Sequence, residues 1–474
     1  MNFLNHRLAL RLLGFTFIFF ACSKEGDPLN DDSGNDKEEV ISINASIEGA
    51  MLYGQYHVGQ PLGPEQYIET HFYFKEPGKY NIVLNSGNGY QFSASGEILS
   101  VPTLAKIPLM GSGTPLNDQL DNFTIGNEEK SKSINIQVMP DISDRLILIK
   151  EESHAFNNHT ITLVDLLNET KVWEIASGNN LDGSYKYGVL HDASLILSTG
   201  NGVKAVNAYT GNVEWERSDI NPQKDFHLNE GVLYVFNDDG SFMAVNPENG
   251  NEIWTYKSLT SYIRETEPCF HNDKIYLVDT DDSIYSITTG GAYVEKITDG
   301  KHIAGISDQV LIHYENSKIF GFDLTTHKEL WHIDTEGHKV AIYEGDLFAM
   351  EGLTYKKILR CYNIHNGTIK WEHSFEKELQ QHFLFDGDVL YLQMGKIHAE
   401  KIALNIIDGS HIWKNSYDFY GIAATPLIKD GETMYYGTSN GIVGLSAKNG
   451  IRGYFYPKAD FFSVKNLYGV LPKL

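Results

Sequence analysis

The chain has 474 residues, 42 % of them hydrophobic and 21 % charged, ordinary globular usage that excludes wholesale disorder. Sixty-two acidic against 38 basic residues leave a formal charge of −24, which repels phosphate backbones and argues against nucleic acid as a partner. Three cysteines exclude both a disulfide-stapled scaffold and a four-cysteine zinc site.

Residues 1–21 read as an export signal. Arg7 and Arg11 give a positive start, and the apolar run from Leu12 to Ala21 is too short to span a bilayer. The run ends in Phe19-Phe20-Ala21-Cys22, which resembles the lipobox of bacterial lipoproteins. That resemblance implies cleavage before Cys22, diacylation of its thiol, and a mature protein tethered to a membrane by acyl burial. Residues 22–40 hold seven acids and almost no apolar side chain, so they are expected to stay an extended acidic tether. Their start, Cys22-Ser23-Lys24-Glu25-Gly26-Asp27, resembles the export signal of surface lipoproteins in the Bacteroidetes. The outer membrane is therefore the expected site, on its periplasmic face or at the cell surface.

Residues 41–139 alternate short β-prone runs with turns such as Pro77-Gly78 and Gly87-Asn88-Gly89. About seven strands without a helical period suggest an immunoglobulin-like β-sandwich. The stretches from Gly89 to Gly96 and from Gly111 to Pro115 resemble repeats of flavobacterial cell-surface proteins, which implies a spacer or adhesion role.

From residue 141 to 474 the sequence repeats. A polar residue is followed eight positions on by an indole at Asp165/Trp173, Asn207/Trp215, Asn246/Trp254, Asp323/Trp331, Asn363/Trp371 and Asn405/Trp413, and by a phenol at Ser446/Tyr454. All six tryptophans of the protein fall on this register, and a degenerate copy around Ile284–Thr288 makes eight units. Two residues before the polar position the side chain is small, as at Ala205, Ala244, Gly321, Cys361, Ala403 and Gly444; four residues after it stands a glycine, as at Gly211, Gly250, Gly367, Gly409 and Gly450. Asn201-Gly202, Asp239-Gly240 and Asn440-Gly441 suit type I′ hairpins, so each unit reads as strands joined by tight turns with the Trp on the last strand. A bulky indole needs a flat, small-walled seat, and the Ala/Gly column is expected to supply it between neighbouring sheets.

The pattern Phe242-Met243-Ala244-Val245-Asn246-Pro247-Glu248-Asn249-Gly250-Asn251-Glu252-Ile253-Trp254 resembles the PQQ-like repeat of quinoprotein-type β-propellers and of outer-membrane assembly lipoproteins of the BamB type. The resemblance implies an all-β fold, with an eight-bladed, alternatively seven-bladed, propeller after the sandwich. It implies chemistry less directly, because propellers host unrelated activities. Quinoproteins of this repeat carry PQQ with calcium, many with a disulfide between adjacent cysteines; here Cys269 and Cys361 stand far apart and no haem-attachment motif occurs. Asn237-Asp238-Asp239-Gly240 lacks the spacing of a calcium loop, and His327, His332 and His338 lack a metal-ligand spacing. The expected function is a non-catalytic scaffold with no cofactor and no metal, binding an outer-membrane or surface protein, or a glycan. Two alternatives stand beside it: an accessory protein or hydrolase of a surface uptake system, and a PQQ-dependent dehydrogenase. Cys269 and Cys361 are expected to remain unpaired thiols.

Overall fold

A computed structural model of the protein describes residues 45–126, 130–153, 159–176, 188–199, 202–223, 226–257, 267–315, 317–335, 339–352, 357–379, 383–395, 399–416, 425–457 and 462–473. The signal segment, Cys22 and the acidic tether lie outside these residues. Every regular element described is a β-strand. The strands fall into two compact units: residues up to 142 together with 451–454, and residues 143–450 together with 455 onward.

In the first unit a five-stranded antiparallel sheet takes the spatial order Ala45–Tyr53, Tyr67–Phe74, Thr103–Gly113, Tyr90–Ile98, Gly78–Asn85. A three-stranded sheet is formed by Tyr56–His57, Ser131–Met139 and Leu120–Gly126, its first pair parallel. Period-2 alternation sends Ile68, Phe72, Phe92 and Ile107 from one sheet, and Phe123, Ile125, Ile134 and Ile136 from the other, into one shared core. One polar knot sits inside it. Asp121, 5 % exposed, accepts from the Tyr90 hydroxyl at 2.8 Å, from Asn88 Nδ2 at 3.1 Å and from Gln119 Nε2 at 2.6 Å. Burial and the adjacent Asp121 carboxylate both push the Tyr90 phenol well above its usual range.

Among the described residues the rest of the chain forms eight four-stranded antiparallel sheets, which belong to the second unit except for residues 452–454 of the last strand of sheet 8. Sheets 2 to 8 follow the chain directly, over residues 188–217, 227–256, 269–299, 302–334, 339–375, 384–416 and 428–457. Sheet 1 is composite: Arg145–Ser153, His159–Asp165 and Thr170–Ala176 are completed by the C-terminal strand Phe462–Pro472, which pairs antiparallel with Arg145–Ser153. The chain thus closes on itself. Arg145 Nε donates to Asp430 of sheet 8 at 2.7 Å, and any side chain larger than hydrogen at Gly437 of sheet 8 would collide with Val464 of the closing strand. Apolar clusters lie between successive sheets, as between 3 and 4 (Tyr234, Phe242, Leu277, Tyr285) and between 6 and 7 (Phe348, Leu359, Leu392, Leu404). This is the layered core of a β-propeller.

Two sequence expectations need correction. At Asp239-Gly240 and Asn440-Gly441 only the glycines take positive φ, at 78° and 147°, so these are not type I′ hairpins. The 237–240 turn is instead a four-residue turn in which the Gly240 N–H donates to the Asn237 carbonyl at 3.0 Å. Asn201 lies outside the described residues. The small-residue column is also not a seat between neighbouring sheets: Ala205, Ala244, Gly321, Cys361 and Ala403 face Trp215, Trp254, Trp331, Trp371 and Trp413 across adjacent strands of the same sheet.

Candidate functional site

The repeat register resolves into one docking motif between sheets. The Asp and Asn repeat residues cap their own turns, as where Asn207 Oδ1 accepts from the N–H of Tyr209 and of Thr210, both at 3.1 Å. A bulge follows the small residue, which carries the Trp over the edge of the sheet toward the next one. There the indole Nε1–H donates to a backbone carbonyl: Trp173 to Ala208 at 3.0 Å, Trp215 to Pro247, Trp254 to Thr289, Trp331 to Ile364 and Trp371 to Ile406 at 2.8 Å, and Trp413 to Ala447 at 2.9 Å. The same rings lie flat on the next unit's glycine, whose φ is near +70°; a methyl added at Gly409 would come within 2.6 Å of Trp371. The indoles are thus fully engaged in holding sheets together. Gly444 lies buried on the third strand of sheet 8, and the Tyr454 side chain is outside the described ones.

The fourth unit breaks the pattern in a matched way. Glu295 occupies the Trp position opposite Ser286, and His327 (φ +52°) occupies the glycine position of the next unit. His327 Nε2 and Glu295 Oε2 stand 3.8 Å apart, so a polar pair replaces the indole-on-glycine dock where sheets 4 and 5 meet.

The adjacent boundary, between sheets 5 and 6, opens into a cleft of about 460 Å³ lined by Ser317, Asp334, Thr335, Glu351, Gly352, Ile358 and Arg360. Arg360 stands on Lys357–Asn363, three residues before the repeat's polar position, where alternation turns it back toward sheet 5. Its Nη1 donates to Glu351 Oε2 at 2.6 Å and its Nε to Glu372 Oε2 at 3.0 Å. The Tyr362 hydroxyl donates to Glu351 Oε1. Burial opposes the guanidinium charge, but Glu372 and Glu351 outweigh it and raise the Arg360 pKa. Burial and the Glu351 carboxylate raise that of Tyr362. Asp334, its side chain 82 % exposed, stands at the rim with Lys318 at 3.6 Å. The walls are thus a paired charge network with an exposed acidic lip, suited to binding polar groups of a partner. Sequence reasoning missed these residues; the available signal was an Arg within a strand of a repeat whose neighbours place Phe320 and Ile402 at the same position.

Other singled-out residues serve the scaffold. Cys361 is buried under Trp371, Cys269 is half-buried, and both are free thiols pushed up to about 12 by burial. Asp239 is bound to Lys257 at 2.6 Å and to Ser241, which hold its carboxyl down at about 2. His332 Nδ1 lies 2.7 Å from Glu329, and His338 is outside the described residues.

Four-stranded sheets in chain succession, closed by a terminal strand and pinned by repeated indole docks, define a β-propeller of the PQQ-like repeat class. The chain belongs to the family described as "Outer membrane protein assembly factor BamB", whose model matches residues 157–305 and 315–453. Among solved structures, BamB from Moraxella catarrhalis is similar at 17 % identity, with a TM-score of 0.45 and 65 % of this chain and 95 % of that one covered. The computationally designed protein Ika8 is similar at 13 % identity and a TM-score of 0.47, covering 57 % of this chain and 86 % of that one. The dihydro-heme d1 dehydrogenase NirN shares the fold at 10 % identity and a TM-score of 0.53, covering 70 % of this chain and 76 % of that one. No curated protein matches in sequence.

Proposed function

We propose that the protein is a non-catalytic lipoprotein of the outer membrane whose propeller is a rigid docking scaffold for an envelope protein. The observation that carries this reading is membership of a family described as an outer membrane assembly factor over most of the repeat region. Cys22 would carry the lipid, residues 22–40 would act as tether, and the N-terminal sandwich, of immunoglobulin-like type, would act as spacer. The 5/6 cleft, with its exposed Asp334 and its part-buried Glu351–Arg360 pair, supports a polar protein contact. No cofactor is part of the reading: Cys269 and Cys361 stand on sheets 4 and 6 and offer no counterpart to the adjacent-cysteine disulfide of quinoproteins.

The test is fractionation with capture. Wild-type protein should sediment with outer membranes, carry acyl mass on its N-terminal peptide, and retain a specific envelope protein after cross-linking. Cys22→Ser should release it to the soluble fraction. Soluble wild-type protein without acyl mass, or dye reduction on addition of PQQ and calcium, would overturn the reading.

A further inference from the structure

The repeats allow each position to be compared with its equivalents in the other sheets. Four residues before the polar position every unit has a fully buried side chain, and the others are apolar, as at Ile161, Val203, Phe242, Ile319, Leu359 and Ile442. Sheet 7 alone places a lysine there. Lys401, on Glu400–Asn405, is 1 % exposed; among the described residues its Nζ makes no hydrogen bond or ion pair and lies 4.0 Å from the ring centroid of Tyr436 of sheet 8. Its register partners are Gln393 and Asn415. Gln393, also 1 % exposed, donates from Nε2 to the Thr425 carbonyl at 3.3 Å, while its Oε1 is buried without a hydrogen bond. Asn415 Nδ2 is occupied by the Asn449 carbonyl at 2.8 Å. The neighbouring carboxylate, Glu400, alternates to the opposite face, where it binds Lys377 at 3.2 Å and Lys414 at 3.0 Å.

A lysine in a dry column without a carboxylate costs stability, since its amine loses water and receives only the Tyr436 ring face in exchange. The arrangement fits a chemical use, because a desolvated amine is the form that attacks carbonyl carbon. We propose that Lys401 is a reactive amine site that condenses with a small aldehyde or ketone admitted between sheets 7 and 8. The Nζ lone pair adds to the carbonyl carbon as the C=O π pair moves to oxygen, and a proton passes from nitrogen to that oxygen. Loss of water from the carbinolamine leaves the C=N imine, with no oxidant or reductant involved. Gln393 Oε1, on the same face and unpaired, is the acceptor available to the carbinolamine hydroxyl. Lys401 is the second residue of its strand, close to the end of sheet 7. Burial brings its amine down to about 7, against about 10.4 for an exposed lysine, which makes its neutral fraction at pH 7 on the order of a thousandfold larger.

The experiment treats the full chain with pentane-2,4-dione, which converts a neutral amine into a conjugated enaminone with a new ultraviolet band. The expected result is one equivalent per chain, mapped to Lys401 by peptide mass, with a rate half-maximal near pH 7. Lys401→Met restores an apolar side chain to the column; it should fold, gain thermal stability and lose the band. Labelling spread over surface lysines with a midpoint near 10 would overturn the proposal. So would labelling of Lys401 only after denaturation, or an equal band in folded Lys401→Met.

Discussion

Trp371→Ala removes the most completely engaged of the indole docks. The ring is 8 % exposed, its Nε1–H reaches the Ile406 carbonyl at 2.8 Å, it meets Phe348 edge-on at 5.9 Å, and it covers Gly409. Deleting a buried aromatic side chain costs about 3–5 kcal/mol from lost transfer energy and the residual cavity. The stranded Ile406 carbonyl adds about 1 kcal/mol if water does not reach it. A unit of this size moves by roughly 2 °C per kcal/mol, so a fall of about 6–12 °C in the thermal midpoint of the propeller transition is expected by calorimetry. Trp371→Phe keeps one aromatic ring but loses the second ring and the hydrogen bond, and should cost less than the alanine change. A midpoint within about 1 °C of wild type for Trp371→Ala, with lost partner binding, would refute the docking role and make the column a ligand platform.

Replacing Glu295 by Trp together with His327 by Gly should rebuild the missing dock and raise the midpoint by more than the sum of the single changes, since each alone lacks its counterpart; an additive result would show that the two positions are not coupled. Asp121→Ala strands the Tyr90 hydroxyl and one N–H of the Asn88 amide, which keeps its bond to the Asn117 carbonyl, and should destabilise the sandwich by about 1–3 kcal/mol in urea titration, whereas an unchanged midpoint would mean that water replaces the carboxylate. His313, 5 % exposed and stacked on Phe320 at 4.9 Å, is held neutral by burial with its pKa down at about 4. The unfolded chain takes up this proton below about 6.5, so stability should fall as pH drops from 6.5 to 4, by up to about 3 kcal/mol, and level off below. In His313→Phe that part of the slope should vanish; an identical slope would assign it to other groups. Cys269 and Cys361 should react with a thiol reagent only on unfolding, giving two thiols per lipidated chain; fast reaction in the native state would contradict their burial.

The Trp spacing was legible because a repeated packing role imposes the same large residue at the same place. All six indoles appear in the sequence register and in the structure as one column. The glycine column was visible too, but its purpose was not: Gly211 or Gly409 reads as a turn residue, and only the fold shows the preceding unit's indole lying on it. The fourth unit hid its dock because its turn is one residue shorter, which shifts Glu295 out of the eight-residue spacing. The closing strand, Phe462–Pro472, belongs to the first sheet through pairing across the whole chain length, and no local pattern encodes that. Arg360 and Lys401 stand inside strand-forming runs, where one charge looks like an exposed face; only burial and register reveal them as exceptions.

The central claim, that the propeller docks an envelope protein through polar groups at the 5/6 cleft, is tested most directly by site-specific photo-cross-linking in intact cells. A photoreactive residue would replace Asp334 at the cleft rim, and Ile253, 51 % exposed on an outer strand, would serve as the control position. The account predicts one discrete cross-linked envelope protein from position 334 and none in common with position 253. The same set of cross-links from both positions, or none from 334 in cells where the protein is folded and membrane-bound, would contradict it.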